Sequence, residues 1–538
     1  MCRLAGAVSV LVLSPMVAHT IWRPAAVALG SPVDGIALRV SLAAVAVAVV
    51  AVATLRALLS RREQAWIVVL LTSLAAGGLA GGLAGAVSLA GVGAFALAVL
   101  PRVAASLSAV QGAASLAGVV AWCVVGLGCV AGSVNLATYF GDPWTTGVGV
   151  DGDGALYRHF CASAYLHAAE LVQQGVGNAY DLSLVPSEGL PESAAHMAPF
   201  ELDRYGYPPP FLLLPIALSA VVEDFTAQRA VWTCLNALLF AAALWRVGLW
   251  VGPRSGRIVR WAAPVLWVMA GPVYQSGNVQ MSILALGVLA MIAFDERRDR
   301  LGGALLAGAT VSKIAPGLLG VLLLAQGRWR AVAWTCVSAA LLSVLALGVV
   351  GTEVFVAFAE YHLPRIASGE AFDFLDDDNR NVFENLSPFG IPFKLSALGL
   401  VEGDPWVWGP RVATVYAVGA FGLAILAGRR RLDRRGHAAV WMLVLTVGAL
   451  RSPMGPGYLL AGVFWALSLA AAELKTPAGW GLGLLLSGLL ALTLPFFWLN
   501  LWIALAGQAL MHSVIVWLVV RPWPVLDPEH PPHALGDG

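Results

Sequence analysis

Apolar stretches long enough to cross a bilayer follow one another along most of this chain, and they restrict it to the helical membrane proteins. A span needs roughly 20 predominantly apolar residues. Runs of that order occur at Val40 to Leu55, Trp66 to Leu100 (long enough for two), Ala113 to Val130, Trp232 to Val251 and Ala331 to Val350. They continue at Val407 to Ala427, His437 to Leu450, Tyr458 to Ala472, Gly479 to Trp498 and Leu499 to Val520. Trp261 to Gln326 adds shorter pieces broken by Gly, Pro and Lys. Only 12% of the 538 residues are charged, against about 25% in soluble domains; mean hydropathy is +0.79. The expected fold is an all-α polytopic membrane protein with about 12–15 transmembrane or re-entrant helices, because only structures that satisfy their own backbone survive in lipid. The first apolar run, Leu4 to Ala18, resembles a signal peptide, but the many spans behind it make it an uncleaved first helix.

The charges that remain are segregated. Nineteen of the 31 acidic residues lie in two loops, Ser133 to Tyr207 and Thr352 to Pro405, which hold only five of the 32 Lys and Arg. Arginine clusters at Arg56-Arg61-Arg62, Arg254-Arg257-Arg260, Arg297-Arg298-Arg300, Arg328-Arg330 and Arg429 to Arg435 mark the cytoplasmic side. Both acidic loops then face the opposite, non-cytoplasmic side, provided that Pro208 to Val222 does not cross. That run is short and opens on three prolines, so a re-entrant or interfacial segment is expected there. The resulting division is 1–132, N-terminal helices; 133–207, first acidic loop; 208–351, central transmembrane and re-entrant helices; 352–405, second acidic loop; 406–521, C-terminal helices; 522–538, a cytoplasmic tail. No basic domain for nucleic acid is present, and four of the six cysteines sit in apolar runs, without disulfide or zinc spacing. Abundant Gly, Ala and Arg, with only three Lys, suggest a GC-rich bacterial gene and hence an inner-membrane location.

Within the first loop, Gly149-Val-Asp151-Gly-Asp153-Gly-Ala-Leu-Tyr157 sets two carboxylates two residues apart, among glycines that let the backbone approach a ligand. Such a pair can hold a metal, or one member can act as base while the other tunes it; a solvated turn is the plain alternative. Further along, Lys313 interrupts an apolar run just before Pro316. A charge at membrane depth usually faces a cavity or partner, and a cation beside the carboxylates suits a phosphate; a snorkelling lysine is the alternative. The second loop offers His362 and Arg380 as sugar or phosphate contacts. Its Asp376-Asp377-Asp378 run reads as a solvated face, without the pattern of an EF-hand. Arg451 stands at an outer helix end as a second candidate phosphate cation.

This layout resembles the polyprenol-phosphate-sugar-dependent glycosyltransferases of the GT-C superfamily, nearest glycosyltransferase family 87 (the DUF2029 group of mannosyltransferase-like proteins). The family has a first-loop Asp, a Tyr four residues on, a Gly and a Tyr, then Tyr-Pro-Pro; the matching residues are Asp153, Tyr157, Gly175, Tyr180 and Tyr207-Pro208-Pro209. The resemblance implies that Asp153 is the catalytic base, with Asp151 as the close alternative. It covers roughly Gly141 to Tyr458 and extends to Lys313 with its following Pro, Asn385-Leu-Ser387, and Ser452-Pro453 beside Arg451. Asn278 and Gln280 stand where the family tends to carry Gly-Gln-x-Asn, so the two amides are exchanged.

The expected activity is inverting transfer of a mannose-like hexose, or a pentose, from a polyprenyl-phosphate donor to a lipid or glycan acceptor on the outer face. A divalent metal is left open. Two other classes compete: a transporter or flippase of lipid-linked glycans, which needs charges within spans and often repeats, and a glycan polymerase or ligase relying on Arg and His of one large external loop.

Overall fold

The structure, a computed structural model, describes residues 161–185, 190–198, 200–252, 273–375, 379–471 and 501–523, with isolated helical residues between 255 and 271. The N-terminal helices, the Asp151/Asp153 motif, the Asp376–Asp378 run and the Arg254-Arg257-Arg260 cluster lie outside the described residues.

Everything described is helical or loop. The α-helices are α1 (Cys161–Gln173), α2 (Leu213–Ser219), α3 (Phe225–Trp250), α4 (Gln280–Asp295), α5 (Asp299–Ser312), α6 (Leu318–Ala325) and α7 (Trp329–Val350). The second loop adds α8 (Thr352–Ala357), α9 (Leu363–Ser368), α10 (Asn379–Glu384) and α11 (Ile391–Ala397); α12 (Pro405–Gly428), α13 (Arg434–Ala449), α14 (Leu460–Ala471) and α15 (Leu501–Val520) complete the set. Among the described residues, α3, α7 and α12 are long and apolar enough to cross a membrane. The chain is therefore a multi-pass helical membrane protein. Helices α7 and α12 turn large apolar side chains outward, among them Leu341, Val344, Val415 and Val418, as a face toward lipid requires.

Side-chain bonds fix the direction of each helix. Trp232 in α3 donates to the Gly277 carbonyl at 2.8 Å, and Trp250 at its far end donates to Asp295 at 2.9 Å. Helices α3 and α4 thus run parallel, and the chain returns between them. Helix α5 runs back and breaks at Lys313, and α6 descends against α12. Helix α13 rises again, its Trp441 donating to the Gly287 carbonyl at 2.9 Å. One end of the bundle collects arginine: Arg246 pairs with Glu296, Arg434 with Asp295 at 3.5 Å and Arg330 with Asp299 at 3.7 Å. The described arginine clusters, distant in sequence, thus meet at one end. The opposite end gathers both loops.

The Pro208–Val222 run is short. Its helical residues, Pro209–Leu212 as a 3₁₀ turn and then α2, rise about 16 Å, half of a hydrocarbon core of about 30 Å. Tyr207 before it and the start of α3 after it lie at the loop end, and Asp224 restarts the helix by accepting from Ala227 N at 2.7 Å.

Small residues set the packing. A Cβ on Gly303 of α5 would lie 2.7 Å from the Trp334 backbone of α7, the close approach that membrane helices favour. Backbone cannot yield as a side-chain tip can. Gly303→Val is expected to destabilise the protein by about 1–3 kcal/mol, read as a lowered melting temperature of the purified protein in detergent.

Candidate functional site

The site forms where two helices stop. Helix α4 starts after a reversal at Gly277, whose φ of +69° and 2.6 Å hypothetical Cβ approach to Ala162 of α1 both demand glycine. Asn278 Oδ1 accepts from Gln280 N at 2.9 Å, and Asn278 Nδ2 donates to Cys161 Sγ at 3.3 Å. One amide therefore caps the helix and ties it to α1. The other, Gln280, accepts through Oε1 from Lys313 Nζ at 2.9 Å. Lys313 ends α5 in an extended conformation (φ −154°, ψ 118°), and Pro316 behind it prevents the helix from continuing. Its ammonium also lies 5.8 Å from the centre of the Tyr207 ring, within cation–π range.

Tyr207 belongs to an aromatic wall. It stacks on Phe211 (4.9 Å) and accepts from the Tyr165 hydroxyl at 2.8 Å. Its carbonyl accepts from the Tyr180 hydroxyl at 2.9 Å. Burial pushes the Tyr180 and Tyr205 phenols well above their ordinary value, so both remain neutral donors. Tyr180 in turn stacks on His362, ring centres 4.7 Å apart.

His362 ends a π-helical turn, Phe358–His362. Its Nε2 is buried without a hydrogen-bond partner. Burial pushes the imidazole down to about 4, while the Gly206 backbone partly opposes this and the Arg365 charge adds to it. His362 is neutral at pH 7 and joins the second loop to the first: Tyr361 beside it accepts from Leu182 N at 3.5 Å.

The other predicted residues fall into place around a second turn. Asn385 is 1% exposed. Its Nδ2 donates to the Pro453 carbonyl at 2.8 Å, and its Oδ1 accepts from Gly455 N and Ser387 N, both at 2.9 Å. Its polar atoms are thus occupied by backbone. Arg451 is exposed, at the end of α13. Three residues before it, Gly448 packs on the Ala315 carbonyl, with a Cβ approach of 2.7 Å, so the Arg451 and Lys313 segments abut. Arg380 falls in α10, and its side chain lies outside the described residues, as do Asp151 and Asp153. Tyr207, Gln280, Asn278, Lys313 and His362 are therefore brought to one end of the bundle.

Residues 205–453 match the family model of glycosyltransferase family 87. Over this stretch, somewhat under half of its length, the chain is similar to the family 87 glycosyltransferases. No curated protein and no solved structure matches the chain. The similarity brings with it the GT-C superfamily and, in general terms, lipid-linked sugar substrates. The geometry suits them: a family 87 enzyme handles an anionic carrier at a membrane surface, and Lys313 offers a cation whose described bonding leaves ammonium protons for a second acceptor. Among the described residues no group of three or more His, Cys, Asp or Glu could hold a metal ion; Asp151 and Asp153, for which a metal is left open, lie beyond them.

Sequence reasoning passed over Lys394 and Gln508, which meet at 2.7 Å under the Asn385 turn. One sits in an acidic loop and the other in an apolar run, and nothing local joins positions 114 residues apart.

An unfolded histidine titrates near 6.5, so the stability carried by neutral His362 is complete above that pH and is lost as pH falls toward 4. Wild-type melting temperature is expected to drop between pH 7 and pH 4.5 more steeply than that of His362→Phe, measured by thermal unfolding of both proteins in the same detergent.

Proposed function

We propose that the protein transfers a sugar, a mannose-like hexose or a pentose, from polyprenyl phosphate to a lipid or glycan acceptor on the non-cytoplasmic face, with inversion at the anomeric carbon. The observation that carries this reading is Lys313: a lysine at a helix break, oriented by Gln280, facing the tyrosine of Tyr-Pro-Pro inside the family-matched region.

In this mechanism the carrier lies along the lipid-facing helices with its phosphate at the loop end. Lys313 and Arg451 hold the phosphate, with Arg380 as a third candidate. Tyr207, Asn278, Gln280 and His362 line the sugar side, and Asn385 keeps the Arg451 segment in register. Asp153 takes the proton from the acceptor hydroxyl as its oxygen attacks the anomeric carbon; Asp151 is the alternative base. The bond from that carbon to the phosphate oxygen breaks, and the charge appearing on polyprenyl phosphate is stabilised by cations already in place. Low dielectric strengthens this attraction relative to water. A divalent cation at the paired aspartates would fit the same scheme without being needed for the phosphate contacts.

The test is release of polyprenyl phosphate by purified protein in detergent with a polyprenyl-phosphate sugar and acceptor. Lys313→Met is expected to lower turnover on the order of 100-fold, with Lys313→Arg keeping a larger share. Asp153→Asn is expected to stop turnover while the melting temperature persists. Full turnover in Asp153→Asn with none in Asp151→Asn would move the base to Asp151. Full turnover in both variants would exclude this loop from the chemistry.

A further inference from the structure

Residues 385–387 form a turn whose backbone carbonyls draw partners from remote parts of the chain. Ser387 precedes Pro388, which holds it extended (φ −67°, ψ 140°) and supplies no N–H. The carbonyls of Asn385 and Leu386 lie ahead of the 3₁₀ turn Pro388–Gly390, and that of Ser387 accepts its first bond, from Gly390 N at 3.0 Å. Two side chains take all three. Lys394 Nζ donates to the Asn385 carbonyl at 2.6 Å; Gln508 Nε2 donates to the Leu386 and Ser387 carbonyls at 3.0 and 2.9 Å. Gln508 Oε1 accepts from Lys394 at 2.7 Å, which joins the pair into one unit. Lys394 is 0% and Gln508 1% exposed, so this is interior bonding, where an orphaned group costs most.

The side chains of the same turn point the other way, onto the chain around Arg451. Ser387 Oγ donates to the Leu450 carbonyl at 3.0 Å, and Asn385 Nδ2 donates to the Pro453 carbonyl at 2.8 Å. Leu386 N adds a bond to the Gly455 carbonyl at 2.7 Å. Arg451 is thus bracketed: the backbone before it and after it is held, while its own side chain stays exposed.

We propose that Lys394 and Gln508 are positioning residues that act through the Asn385–Ser387 turn to fix Arg451 for the carrier phosphate. This role rests on the reading above, in which Arg451 meets that phosphate. It also makes α15, which lies outside the family-matched residues 205–453, part of the working enzyme.

A double-mutant cycle tests it with the full-length protein in detergent, measuring turnover and donor KM. Gln508→Leu removes the acceptor and both donors. Gln508→Glu preserves side-chain volume and an acceptor for Lys394 but loses the two donors, and so guards against a folding failure in the first variant. Each is expected to lower turnover on the order of 10-fold or more, as small misplacements of a binding group do, and to raise donor KM. In an Arg451→Ala background the same substitutions should add little, because the group they position is gone. Losses that multiply with that of Arg451→Ala would overturn the positioning role and leave Gln508 a purely structural residue. If Arg451→Ala alone keeps wild-type turnover and donor KM, the phosphate assignment of Arg451 fails instead, and the positioning role fails with it; the two failures are told apart by the single variant.

Discussion

The constraint on which this architecture depends is that backbone groups leaving a helix inside a bilayer must find partners within the protein. Each interruption of the bundle is stitched by a side chain from elsewhere. Trp232 takes the Gly277 carbonyl at the start of α4, and Tyr416 takes the Val447 carbonyl near the end of α13 at 3.1 Å. The break at Asn385–Ser387 recruits two long polar side chains, Lys394 and Gln508. The requirement is local, but satisfying it pulls together elements remote in sequence, and the loop end of the bundle is where those demands concentrate.

That concentration has a chemical consequence. A cation placed to satisfy a helix break is also a cation held away from bulk water. Lys313 is bonded to a neutral amide and faces a tyrosine ring; among the described residues no carboxylate forms an ion pair with it. A lysine neutralised by Asp or Glu would have little attraction left for a phosphate, whereas one held by neutral oxygen and an aromatic face keeps its field. Lys394 follows the same chemistry with the opposite outcome: all its described partners are neutral, but they enclose it, so its charge serves the fold.

The parts legible in the sequence are those written in local pattern. Hydropathy gave the helical class, a residue count showed Pro208–Val222 to be short, and the position of Lys313 before Pro316 in an apolar run marked it as unusual. What stayed hidden is pairing. Asn278 was readable equally as a cap or as a ligand; its oxygen turns out to cap α4 while its nitrogen reaches Cys161. Asn385 stands out in the sequence only through the Asn385-Leu-Ser387 motif, and the three backbone partners of its amide come from the fold. Gln508 carries no local signal at all, since one amide in a 20-residue apolar helix is unremarkable until the turn it serves is folded against it.

The two loops themselves show why carboxylate-rich segments need not be held by charge. The ion pair between them, Arg204 with Asp373, is exposed on both sides, and exposed pairs contribute about 0–1 kcal/mol at most. Neutral contacts also dock one loop on the other: the buried Tyr180–His362 stack and the part-buried bond from Leu182 N to the Tyr361 hydroxyl. Apolar and aromatic contacts of this kind are not screened by salt as surface charges are. The acidic residues are consequently free of the task of holding the loops together. Among so many acidic residues, the few cations at this end, Lys313 and Arg451 side by side, are the points to which an anionic headgroup is drawn.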